Sequence, residues 1–385
     1  MPHRFTTPYE VALKYKALKK TLEKEEDIQS KTIRFLRFPL IVAVVLIHTR
    51  LDHVVVNGHL LTETARFPVF ALCQHIVSTE IARIAVPLFY FMSGYLFFYR
   101  STPFSLAVYG QKIKKRVHSL LVPYLFWNAA VFLLLFLAQQ CMPELTSGQN
   151  KAVTDYHWTD WLNLFWSHRD GRPVCYQFWF IRDLFVVMLL SPLLHLLLRR
   201  LRWTVVGLFG LLWVFNGWYA VPGLSITAFF FFSWGACYSI EGIPFTPGFR
   251  RRRHRRLLLL TYLTMLALNT LLWKAQQTDW FFLQNVGVAL GAAATMGWTA
   301  HALSRHTLRV NPFLASASFF VFAYHGMPMT LAIKCWVRLW SPLGEAQLLT
   351  GYVLIPLLIV ALGLGLYAVL RKHFPAFTAC ITGGR

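Results

Sequence analysis

The sequence predicts an all-α integral membrane protein, a bundle of about ten transmembrane helices with both termini on the cytoplasmic side. Three observations predict it. Hydrophobic residues make up 56% of the 385 residues and charged residues only 14%, with a mean hydropathy of +0.47, which is more apolar than a soluble chain of this length. The apolar residues recur in blocks close to the roughly 20 residues that cross a bilayer. The basic residues are also uneven: 28 of the 38 Lys and Arg fall near the two termini and in alternate loops, which assigns those segments to the cytoplasm.

Residues 1–31 are polar and charged, so a cleavable signal peptide is not expected and the first apolar run acts as an uncleaved anchor. Within this segment Val11, Tyr15, Leu18 and Leu22 recur at helical spacing among Lys14, Lys16, Lys19, Lys20 and Lys24, the pattern of an amphipathic helix lying on the inner leaflet. The membrane domain is then 32–372 and the cytoplasmic tail 373–385. Spans are expected near 34–53, 81–99, 118–140, 178–198, 203–221, 224–240, 257–275, 280–300, 312–335 and 347–370, the fifth and sixth joined tightly through Pro222 and Gly223.

The net charge of +22 is read as a topology signal. Arg250 to Arg253, His254, Arg255 and Arg256 lie directly before an apolar span, where contacts with lipid headgroups explain them, and no nucleic-acid partner is expected. The six cysteines lack metal-ligand spacing, so no metal site is expected. Cys141 and Cys175 flank the longest outer loop and can pair in an oxidising compartment, although free thiols are the preferred reading. No internal repeat, Gly-rich phosphate loop or Gly-x-Ser-x-Gly elbow is present.

Ionisable groups within the spans carry the functional signal. Arg37 and His48 sit at the two ends of one apolar run, and eleven helical positions return to within roughly 20° of the same face about 16 Å further along the axis. An imidazole at that depth points to a buried functional site, against the plainer reading of a histidine that caps a helix. His325 lies at a matching depth of roughly 18 Å in the ninth span, beside Tyr324. The two rings are therefore expected to line one cavity, within about 12 Å of each other and with room between them for a thioester and a hydroxyl. Ser93, Asn128 and Asn269 fall at comparable levels; for each, interhelical hydrogen bonding is the preferred reading.

Five blocks carry a family resemblance: Thr32 to Arg37 followed by His48; Arg83-Ile-Ala-Val-Pro-Leu-Phe-Tyr-Phe-Met-Ser-Gly94; Arg116-Val-His-Ser-Leu-Leu-Val-Pro-Tyr-Leu-Phe-Trp127; Phe178-Trp-Phe-Ile-Arg-Asp183; and Ala323-Tyr-His325. In this order they resemble the membrane-bound acyltransferase-3 family, and within it the Ser-Leu-Leu-Val-Pro-Tyr branch that includes enterobacterial common antigen O-acetyltransferase-like proteins. The family's arginine, ten residues, histidine pattern lies on Arg37 and His48. One departure is Ser119, which stands where many members have the second residue of a basic, two residues, basic motif. The resemblance implies a ten-helix membrane enzyme that moves an acyl group, usually acetyl or succinyl, from cytoplasmic acyl-CoA to a carbohydrate acceptor at the outer face.

On that reading Arg37 and the run Lys112, Lys114, Lys115 and Arg116 pair with the phosphates of acyl-CoA, with acetyl-CoA the favoured donor. His48 serves as general base toward the acceptor hydroxyl, with a transient acyl-histidine as the competing mechanism. Asp52, one helical turn beyond, is placed to orient the imidazole. Arg83, Ser93, Asn128 and the Arg182-Asp183 pair are candidate acceptor contacts, though the last two are read first as an interfacial ion pair. Trp158, Trp161, Trp166 and His168 are read as an interfacial belt ahead of a sugar surface. Two alternatives stay open: a proton-coupled or polysaccharide transporter with the histidines as relay, and a catalytically silent relative.

Overall fold

The first helix, α1 (Pro8–His48), spans 41 residues. In the computed structural model, which describes residues 8–52, 54–56, 59–60, 67–101, 103–143, 150–277, 279–341 and 343–384, α1 runs without a break through residue 31. Residues 8–31 are therefore continuous with the first apolar helix and do not form a separate one. Some of their polar side chains reach other parts of the protein: Glu25 pairs with Arg250, while Gln29 donates to the Tyr95 hydroxyl and accepts from the Phe245 N–H at 2.9 Å.

A two-residue hairpin, Val55–Val56 paired with His59–Leu60, follows. The second expected span begins earlier than the sequence suggests. It runs from Pro68 to Phe98 as α2 (Pro68–Gln74), a π-helical turn (His75–Ile81), a 3₁₀ turn (Ala82–Ile84) and α3 (Ala85–Phe98). The third, Leu106–Cys141, joins α4 (Leu106–Arg116) to α5 (Val122–Cys141) through another π-turn. The chain continues through α6 (Trp158–Trp166), α7 (Trp179–Leu189), α8 (Ser191–Leu201), α9 (Trp203–Val214), α10 (Ile226–Ile240), α11 (Phe245–Arg250), α12 (Arg252–Lys274), α13 (Phe281–Ser304), α14 (Pro312–Tyr324), α15 (Gly326–Leu339), α16 (Glu345–His373) and α17 (Pro375–Thr382).

Among the described residues, five helices are long and apolar enough to cross a membrane, or six if the bent α7–α8 pair is one span. The expected ten are not reached among them: α1 is not one of the five, α10 has only 15 residues, and three further expected spans are interrupted for local reasons. The fourth expected span bends by 64° between α7 and α8, where Pro192 sits in the first turn of α8 and cannot donate back to the preceding turn. The fifth stops at Val214, and Asn216 takes a positive φ of 50°. The ninth divides at His325, the junction of α14 and α15. The tail is also ordered: Trp127 Nε1 donates to the Ile381 carbonyl at 3.0 Å, fixing α17 against α5.

The bundle's closest crossing is that of α3 with α10. A Cβ on Gly94 would fall on the carbonyl of Phe232, and one on Gly235 on the carbonyl of Phe91. Reciprocal glycines let the two backbones touch, the usual way for helices to associate where no hydrophobic effect drives them together. Gly235→Ala is expected to lower the thermal midpoint of the detergent-solubilised protein, since overpacking a tight core costs about 1–3 kcal/mol, whereas Gly207→Ala, on α9 with open space around it, should leave the midpoint unchanged.

Candidate active site

α1 ends at His48, inside the protein. The His48 ring is half-buried and lies between Tyr176, with ring centroids 4.9 Å apart, and His325, 5.4 Å away at an interplanar angle of 32°. The two imidazoles thus share one site. They are in direct contact, so the space expected between them is absent and a substrate must approach from beside the pair.

His325 occupies the junction where α14 gives way to α15. Its Nδ1 lies 2.6 Å from the Phe322 carbonyl. A carbonyl only accepts, so Nδ1 carries the proton and Nε2 presents a lone pair. That Nε2 is buried without a hydrogen-bond partner among the described residues. The junction is fixed by Gln177, which donates to the Ala323 carbonyl at 3.1 Å and occupies the place a Cβ of Gly326 would take, 2.6 Å from it.

His48 opens onto a cavity of about 670 Å³ lined by Asp52, Gln74, His75, Arg83, Arg172, Trp179, Trp213 and Trp273, among others. On the far side lies a second cavity of about 120 Å³, lined by Arg37, Ser93, Arg116 and Ser318 among apolar side chains. Neither Arg37 nor Arg116 has a carboxylate partner among the described residues. Arg37 also borders a third space of about 670 Å³ lined by Glu23, Arg34, Tyr99 and Arg100. Three spaces thus follow α1 in order, and the first two share Phe89, Phe180 and Phe322 as lining residues.

Other sequence candidates divide between these spaces and structural positions. Ser93, Arg37 and Arg116 meet in the small cavity, whereas Lys112 lies over the Phe97 ring at 5.6 Å and Lys114 and Lys115 are exposed; the phosphate-pairing set expected from Lys112 and Lys115 is not gathered there. Asp52 borders the His48 cavity, but α1 has already ended, so helical spacing does not carry it onto the imidazole. It is held by Arg50, at 2.6 Å, and by Gln74, at 3.1 Å. Arg83 borders the same cavity and donates to Gln284.

Asn128 does not line the His48 cavity. It is fully buried, donating to the Tyr124 carbonyl at 2.8 Å and accepting from the Cys175 N–H at 3.0 Å. Arg182 and Asp183 are likewise absent from the cavity lining. They form a buried ion pair at 2.8 Å, in which Arg182 also donates to the carbonyls of Trp166 and Gly171 and Asp183 accepts from the Gly223 N–H at 3.1 Å. The pair lies within one helix, α7, and its remaining bonds tie that helix to the backbone at Trp166, Gly171 and Gly223. Asn269 donates to Glu80 at 3.2 Å. Cys141 and Cys175 are free thiols.

Sequence reasoning missed Tyr176, which abuts the Phe178-Trp-Phe-Ile-Arg-Asp183 block, and the buried cluster on the π-turn. There His75 stacks on Trp273, with centroids 4.3 Å apart, and faces Glu80 at 3.5 Å, which also accepts from Gln284 at 2.9 Å. A seven-residue π-helix leaves no simple periodic trace in sequence, although such turns cluster at functional sites.

Fold and site define a helical membrane protein with a histidine pair beside a polar cavity, which adjoins a smaller cavity lined by Arg37 and Arg116. The acyltransferase-3 family, described as an acyltransferase domain, matches residues 31–371. Succinoglycan biosynthesis protein ExoH of Rhizobium meliloti (strain 1021) is 25% identical over 327 residues, covering 80% of each chain. No solved structure matches. The chain belongs to the acyltransferase-3 family and is a multi-pass membrane acyltransferase.

Asp183→Ala leaves the Arg182 guanidinium buried and uncompensated, a change that typically costs about 3–5 kcal/mol. The expected outcome is a marked fall in thermal midpoint in detergent. Asp183→Asn, which keeps an acceptor for Gly223, should lose less.

Proposed function

We propose that this protein is an integral membrane O-acyltransferase of the cell membrane, the inner membrane in a Gram-negative cell, with both termini cytoplasmic. It takes an acyl group, acetyl by preference, from cytoplasmic acyl-CoA and delivers it to a hydroxyl of an extracytoplasmic or lipid-linked polysaccharide. The observation that carries this reading is the order of the cavities along α1: Arg37 of α1 and Arg116 of α4, without carboxylate partners among the described residues, share one cavity, and His48 borders the next, about 16 Å further along the helix from Arg37.

Arg37 and Arg116 hold phosphate oxygens by charge-assisted hydrogen bonds, with the nucleotide end of CoA in the wider space beyond. The acceptor enters the His48 cavity, where Trp179, Trp213 and Trp273 offer faces to a sugar ring and Gln74, Arg83 and Arg172 offer hydrogen bonds. A relative named for succinoglycan biosynthesis supports a polysaccharide acceptor.

In the transfer, His48 takes the proton of the acceptor hydroxyl as its oxygen attacks the thioester carbonyl. The new C–O bond forms, the C–S bond breaks, and the imidazolium returns the proton to the CoA thiolate. His325 is a positioning residue on this reading. The two rings lie 5.4 Å apart, and the unpartnered Nε2 lone pair of His325 is available to accept the other N–H of His48 once substrate is bound, which would fix the nitrogen that faces the acceptor.

His48→Ala and His48→Gln are both expected to lose at least about 100-fold in kcat while keeping the wild-type thermal midpoint, because glutamine keeps hydrogen bonding but takes no proton at neutral pH. Near wild-type turnover in either variant excludes His48 as the base. Arg37→Ala, and separately Arg116→Ala, should raise the KM for acetyl-CoA more than that for a short phosphate-free thioester. Equal loss with both donors would assign these arginines to topology alone.

A further inference from the structure

The His48 cavity and the Arg37 cavity are not open to each other along their whole width: Phe89, Phe180 and Phe322 line both. The three rings come from α3, α7 and α14 and form a continuous row of tilted and edge-to-face contacts. Phe89 and Phe180 have centroids 5.8 Å apart, and Phe180 and Phe322 lie 6.1 Å apart at 85°. We infer that this phenylalanine partition is the passage by which the acyl thioester reaches His48, and that its packing selects the length of the acyl group.

The inference rests on the acyl-CoA reading of the donor and follows from three properties of the partition. First, it is made only of phenyl rings, so it passes an uncharged acyl thioester and turns back the phosphates, whose transfer into apolar surroundings is prohibitive. The nucleotide stays with Arg37 and Arg116 while the thioester end advances. Second, the space before the partition is about 120 Å³, well below the roughly 300–1,000 Å³ of ordinary ligand pockets. A short acyl group fits there beside the thioester arm; a longer one meets the rings.

Third, the partition is fixed to the chemistry on one side and loose on the other. The Phe322 carbonyl holds His325 Nδ1 at 2.6 Å, so the Phe322 backbone cannot shift without disturbing the histidine pair. Phe180 is buried against Tyr90, at 4.9 Å between centroids. Phe89 is only half-buried, so its side chain has the freedom to turn aside. The width left by Phe89 against the two fixed rings is the specificity element.

The test uses the purified full-length chain in proteoliposomes that contain the lipid extract of its native membrane, supplied in turn with acetyl-CoA, butyryl-CoA and hexanoyl-CoA. Free CoA is measured by mass spectrometry. Phe89→Ala should raise the butyryl-to-acetyl ratio of kcat/KM about tenfold or more, on the scale by which added methylenes are discriminated. Phe180→Leu should shift the ratio in the same direction, and Phe89→Trp in the opposite one. Phe91→Leu, in the aromatic cluster with Trp234 and Phe245, should leave it unchanged.

Because Phe89 is half-buried, its variants keep the test decisive even if Phe180→Leu fails to fold. Wild-type activity on acetyl-CoA with a butyryl-to-acetyl ratio that stays within twofold in Phe89→Ala overturns the partition while leaving the acyl-CoA reading intact. A folded Phe89→Ala protein that releases CoA from none of the three donors also overturns it, since widening a passage does not close it. If the wild-type protein itself releases no CoA from any donor, the acyl-CoA reading falls and this inference with it.

Discussion

A helix that ends inside a bundle leaves its last carbonyls without partners, and in apolar surroundings each must be satisfied by the protein. α1 ends this way at His48, and much of the site is the means by which that end is satisfied. Thr49 Oγ1 donates to the Val45 carbonyl at 2.9 Å. Ser78 Oγ donates to the Leu46 carbonyl at 2.6 Å. Gln74 Nε2 reaches the Thr49 carbonyl at 3.5 Å and the Asp52 carboxylate at 3.1 Å. Ser78 lies on the π-turn and Gln74 directly precedes it, so the irregularity of the Pro68–Phe98 helix meets the end of α1.

The same logic operates across the cavity. α14 stops at Tyr324, His325 fills the junction, and Gln177 closes the Ala323 carbonyl where Gly326 leaves room for it. Each break places polar backbone at depth, and such backbone is tolerated only where it is buried in protein or lines a cavity. Two breaks and a π-turn bordering one space account for its mixture of imidazoles, amides and guanidiniums within a chain that is otherwise strongly apolar.

The parts of this arrangement that were legible in the sequence are those that depend on depth along a helix. Arg37 and His48 were separable from the background because ionisable groups are rare in apolar runs, and His325 matched His48 by counting residues from the nearer end. Asp52 was misplaced for the opposite reason: helical periodicity was extended past the residue at which α1 stops, and nothing in Thr49-Arg50-Leu51 announces that stop. Arg182, Asp183 and Asn128 were equally visible as polar residues, but their partners are backbone groups of distant loops, Trp166, Gly171, Gly223 and Cys175, which no local pattern reveals. The count of spans suffered similarly, since hydropathy gives the extent of apolar sequence and not whether Pro192 or the His325-Gly326 junction divides it.

Phe89, Phe180 and Phe322 were invisible for a compositional reason. The chain holds 33 phenylalanines, and an apolar ring in an apolar span carries no signal until three helices bring it beside a cavity. Once placed, the rings resolve a conflict inherent in the proposed chemistry. Donor phosphates need cationic partners, the acceptor needs a wet and polar chamber, and an open channel joining the two would let ions cross the membrane. A partition of side chains separates the chambers with no polar group left unsatisfied. Because the Phe322 carbonyl also fixes the tautomer of His325, the residue that closes the passage is covalently continuous with the residue that positions the base. Sealing the membrane and aligning the proton acceptor are thus imposed by the same turn of α14.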